Sequence, residues 1–128
     1  MERSLELFAV IHLTVMGLSH VLQHRVWAEF FIWLRGKGHA GVFVHGFLSL
    51  GFGSMILAFH QVWSGIPMVL SIVGVFYLLK TLHCFLLPAA ALRSLERVSL
   101  ERSRVFIAPG ILFLGLAAIL TYGLARAG

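Results

Sequence analysis

The chain contains no aspartate, and its only carboxylates are Glu2, Glu6, Glu29, Glu96 and Glu101. None of the five lies centrally in an apolar run, so buried carboxylate chemistry within such a run is not available. Charged residues make up 12% of the chain, against about 25% in an ordinary soluble domain. That is too few to cover a surface facing water, which excludes a soluble globular domain. A single cysteine, Cys84, excludes an internal disulfide and says nothing about compartment. Met1–Glu6 lacks the basic start and small-residue cleavage site of a signal peptide. The first apolar run is therefore expected to be a retained helix.

What the chain has in abundance is apolar length. Hydrophobic residues make up 59% of 128 positions, enough for one domain. Residues 7–24 are uncharged, and a helix of roughly 17–25 residues crosses a bilayer core about 30 Å thick. The uncharged stretch 38–79 is too long for one span and suits two. The turn falls at His60–Pro67, where Gly65 and Pro67 punctuate the run. Spans are thus predicted at 7–24, 40–60, 67–87 and 105–125, with Pro88 ending the third. The expectation is an all-α integral membrane four-helix bundle, a single transmembrane domain over 1–128. Between the first two spans, Trp27, Phe30, Phe31 and Leu34 share one helical face, interleaved with Glu29 and Arg35. This segment fits either a short interfacial helix at the headgroup level or an extension of the first helix. Residues 93–104 are the most polar and read as a helical loop.

The net charge is +5. The basic residues sit at the ends of apolar runs, where they set orientation and meet anionic lipid, so nucleic acid is not an expected partner. Arg25, Arg35, Lys37, Arg93, Arg97, Arg102 and Arg104 fall in the first and third loops, whereas Arg3 and Arg126 fall on the other side. The excess places loops 25–39 and 88–104 in the cytoplasm and both termini outside, in a bacterial-type inner membrane. Gly46, Ser49 and Gly53 form a small-residue face suited to close helix packing, either within the bundle or against another membrane subunit or a second copy.

Seven histidines in so apolar a chain call for an explanation. At about 1.5 Å per residue, His20, His45 and His83 all fall roughly 8–10 Å to the cytoplasmic side of the midplane. They come from three separate helices. Such a level set is what haem b or a transition metal needs, because its ligands must come from facing helices. His24, one turn from His20, adds a fourth candidate metal ligand. His12 and Met16 continue the stripe outward, and Lys80 lies one turn from His83 and Cys84. The structural alternative is that these imidazoles are interfacial or hydrogen-bonded between helices, that Lys80 reaches the interface, and that Cys84 is a buried thiol.

Two families of four-helix membrane proteins are similar in size. Small multidrug-resistance transporters use a carboxylate inside the first helix, where this chain has His12. The haem-associated, four-helix protoporphyrinogen oxidases have a histidine early in the first helix and a lysine in the third. His12 and Lys80 resemble these two positions.

Three functions follow as expectations. The first is an accessory or assembly subunit working through helix packing, without catalysis. The second is a haem- or metal-binding redox protein using the histidine cluster. The third is a small dimeric transporter.

Overall fold

The computed structural model describes residues 2–127. The described chain is helical without strands. Its helices are α1 (Glu2–Leu22), α2 (His24–Gly36), α3 (His39–Phe59), α4 (Met68–Leu86), α5 (Pro88–Leu95) and α6 (Ile107–Ala127). A 3-10 turn at Ser103–Phe106 leads into α6. Four of these elements are long and apolar enough to cross a membrane. Their outward faces carry Leu7, Ile11, Val15, Phe47, Phe76 and Ile111, all exposed. Apolar residues exposed along all four long helices need an apolar solvent, and helices satisfy their own backbone polar groups there. The chain is integral to a membrane.

Helix bounds differ from the sequence reading where local chemistry intervenes. The first helix starts earlier, inside the charged stretch at Glu2, and ends at Leu22. Gln23 leaves helical geometry at φ −121°, ψ 39°. α2 is consequently a separate helix, not an extension of α1. Its tie back to α1 is a hydrogen bond of 2.8 Å from Trp27 Nε1 to Ser19 Oγ. Pro88 ends α4 as expected from its missing N–H, yet it also opens α5 from the first-turn position, where no N–H is needed. The α3–α4 turn needs φ +70° at Gly65, a conformation glycine adopts without strain.

The long helices pack as two pairs, α1 along α6 and α3 along α4, with sparser contact between pairs through α1–α3 and α4–α6. Small residues set each seam. A Cβ on Gly17 would lie 2.9 Å from the carbonyl oxygen of Gly110, and one on Gly110 would lie 2.9 Å from that of Gly17. In the other pair, Gly46 abuts Cys84 and Phe85, Gly53 abuts Tyr77 and Leu78, and Ser49 is buried. The Gly46–Ser49–Gly53 face is thus occupied within the chain. Between the pairs, Leu5, Ala9, Leu13, Ile56, Leu70 and Leu120 form the main buried core.

The two ends of the bundle differ. Arg3 donates to the Leu124 carbonyl at one end. At the other, Arg35 donates to the Val98 carbonyl at 2.9 Å, joining α2 to the loop after α5. α2, α5, the 3-10 turn and the loop between the last two gather there and carry six of the eight arginines.

Candidate functional site

Sparse contact between the helix pairs leaves room between them. A cavity of about 260 Å³ opens between α1, α2, α3, α4 and α6. Its polar wall is His12, His20, His45, Lys80, Ser49 and Tyr77. The remainder is chiefly aromatic: Trp27, Phe30, Phe31, Phe52 and Phe113. Among the described residues, no carboxylate lines it.

His20 is the most constrained of the basic groups. It is buried, with its Nδ1 2.7 Å from the Met16 carbonyl oxygen. A carbonyl only accepts, so Nδ1 carries the hydrogen, and in the neutral ring Nε2 keeps its lone pair. Trp27 stacks on the ring at 4.1 Å, and Phe113 meets it edge-on at 5.4 Å. Because Trp27 is itself held by Ser19, the kink at Gln23 brings α2 over the cavity as a roof. His12 stacks on Phe52 at 4.4 Å. His45 meets the Phe31 ring at 5.1 Å. Lys80 Nζ lies 5.8 Å from the centre of the Tyr77 ring.

The structure gathers His12, His20, His45 and Lys80 around this one cavity. It does not gather all of the histidines set level by depth. His83 lines an adjoining cavity of about 160 Å³ with Cys84, and His45 and Lys80 form the wall between the two. The reason is azimuth. Six residues along a helix, from Tyr77 to His83, turn about a third of a circle away. His24 lies past the break at Gln23, where its Nδ1 pairs with Ser103 Oγ at 2.9 Å. It joins α2 to the 3-10 turn and does not line the cavity. Among the described residues, no group of three or more His, Cys, Asp or Glu is placed to hold one metal ion.

Sequence reasoning did not single out Phe52 and Phe113 and read Phe31 only as part of an interfacial face, because in an apolar chain an aromatic facing a cavity looks like one facing lipid. It also missed a polar cluster at the opposite end, where His60, Ser71 and Glu6 meet. Glu6 stood at the edge of a span, and nothing local marked it as buried.

Chemically, the cavity is a basic site in an apolar medium. A lysine amine and three imidazoles facing one apolar space favour an acid and disfavour a cation, since electrostatic interactions are strong where water is scarce. The aromatic wall suits an apolar body. No family model, curated protein or solved structure matches the chain.

Proposed function

We propose that this protein binds a small, apolar-bodied acid within the membrane. The observation that carries the reading is the convergence of Lys80, His12, His20 and His45 on one aromatic, carboxylate-free cavity. Lys80 supplies the charge for a charge-assisted hydrogen bond, and the imidazoles donate or accept around it. A volume of about 260 Å³ is just below the common range of roughly 300–1,000 Å³ for ligand sites, which favours a small acid over a macrocycle. The helix-packing subunit reading loses its main support, because Gly46 and Gly53 pack against α4. The cavity offers a transporter the same acidic cargo.

A second reading, haem b or a metal, is favoured by one observation. The bond from His20 Nδ1 to Met16 is the kind that orients a ligating imidazole and leaves Nε2 free. His20 and His45 would be its ligands. The charge pattern also supports an orientation with both termini outside and the α2–α5 end in the cytoplasm of a bacterial inner membrane.

The test is purification in mild detergent, with an absorption spectrum in both redox states and mass spectrometry of solvent-extracted small molecules. An organic acid retained by the wild type and lost from Lys80→Gln is the expected result. A Soret band lost in His20→Ala would move the second reading to first place. Finding neither, with no acid rebinding when added back, would sink both.

A further inference from the structure

A second recess adjoins the cavity. Between α4 and α6, which touch only sparingly, runs a crevice of about 270 Å³ lined by Val69, Ile72, Val73, Phe76, Leu112 and Leu116. It presents no polar surface. Tyr77 and Phe113 wall both this crevice and the basic cavity, so the two share a boundary. From Tyr77 to Val69 the crevice extends about 12 Å along α4, away from the end that carries α2 and α5.

We infer that the site takes a single-chain acidic amphiphile, its acid among Lys80, His20 and His45 and its hydrocarbon tail in the α4–α6 crevice. The inference rests on reading the cavity as an acid site and adds the ligand class. Two observations converge on it. The basic groups give charge complementarity to an acidic head. The crevice is wholly apolar and begins at the cavity wall. The order along the bundle is arginine-rich end, basic cavity, then apolar crevice. Tyr77 is the midpoint of α4, so the acid lies on the α2–α5 side of the middle of the bundle and the tail runs from the middle toward the far end of α4. The crevice is flanked by the exposed side chains of Ile72, Phe76 and Leu112, which gives lateral access from the bilayer. One narrow crevice fits one chain, which distinguishes a fatty acid from a two-chain phospholipid.

Energetically, head and tail do different things. Lipid and crevice are equally apolar, so the tail gains little from burial. Affinity comes from the head, and the crevice selects by shape.

The experiment uses the full chain in phosphatidylcholine nanodiscs, with binding of radiolabelled dodecanoate and benzoate measured over empty nanodiscs. Dodecanoate is expected to bind and dodecanol is not. Lys80→Gln should weaken both acids by about tenfold. Leu112→Trp and, as a second variant, Ile72→Trp fill the crevice from exposed positions. Each should weaken dodecanoate by about tenfold and leave benzoate unchanged, so benzoate doubles as the folding control. If the tryptophan variants bind dodecanoate normally while Lys80→Gln loses both acids, the tail placement is overturned and the acid site stands. If neither acid binds over empty nanodiscs, the acid reading falls as well. If phosphatidylglycerol added to the nanodisc displaces dodecanoate, the acidic head belongs to a phospholipid and the single-chain assignment is overturned.

Discussion

Glu6 Oε1 lies 3.4 Å from His60 Nε2, joining the first turns of α1 to the end of α3 in a site where His60 is fully buried. The other side of the ring is settled. Ser71 Oγ donates to the Val62 carbonyl at 2.7 Å and therefore accepts from His60 Nδ1 at 2.9 Å. Nε2 is buried and makes no hydrogen bond among the described residues. The Glu6 carboxyl is the polar group that faces it. This contact fastens the α1–α6 pair to the α3–α4 pair at the end away from the cavity.

Removing Glu6 leaves Nε2 buried and unsatisfied. Glu6→Ala should therefore destabilise the fold by about 1–3 kcal/mol. Glu6→Gln keeps a donor for Nε2 and should cost less. The double replacement Glu6→Leu with His60→Leu should recover much of the loss, since apolar substitutes for a buried polar pair are often tolerated. Denaturant titration of the four proteins in one detergent measures the order. Equal losses for Glu6→Ala and Glu6→Gln would show that an amide does not replace the carboxyl beside Nε2.

The α1–α6 seam makes a contrast among glycines. Gly17→Ala and Gly110→Ala each drive a Cβ against opposing backbone, and overpacking of this kind costs about 1–3 kcal/mol. Gly51→Ala and Gly115→Ala meet open space and should be neutral or slightly stabilising, because alanine is the better helix former. Thermal melts of the four variants test this. Gly110→Ala should also disturb the cavity, because its Cβ would fall 2.9 Å from His20 Cβ.

Trp27 reports on the cavity directly. A ligand held beside His20 should change its emission, whereas Trp33 and Trp63 are both exposed and should not respond. Titrating benzoate into wild type should alter tryptophan fluorescence, and Trp27→Phe should abolish the change. The same variant loses the bond to Ser19, at about 0.5–1.5 kcal/mol of stability. An unaltered response in Trp27→Phe would place the ligand elsewhere.

Orientation is testable with a membrane-impermeant maleimide on intact cells. In a Cys84→Ser background, Ser64→Cys in the α3–α4 turn should label from outside. Leu100→Cys, between α5 and the 3-10 turn, should label only after permeabilisation. The reverse pattern would overturn the assignment made from the arginine distribution.

The sequence by itself determined that the chain lies in a membrane, that four helices are long and apolar enough to cross it, and where the second turns into the third and the third ends. These follow from run length, scarcity of charge and the glycine and proline at Gly65, Pro67 and Pro88, all local properties that one-dimensional order preserves. It also indicated that His20, His45 and His83 lie near one depth, because rise along a helix is fixed at about 1.5 Å per residue. Tertiary structure alone decided which of them meet. Rotation of each helix about its axis placed Lys80 and Tyr77 on the cavity and turned His83 into its neighbour. A departure from helical geometry at Gln23 carried His24 to Ser103 and brought Trp27 over His20. The pairing of α1 with α6 through Gly17 and Gly110 opened the space that the basic side chains line. In lipid no hydrophobic difference separates an inward face from an outward one. The apolar pattern that fixes azimuth in a soluble helix is therefore weak here, and only the packing of small residues against neighbouring helices could supply it.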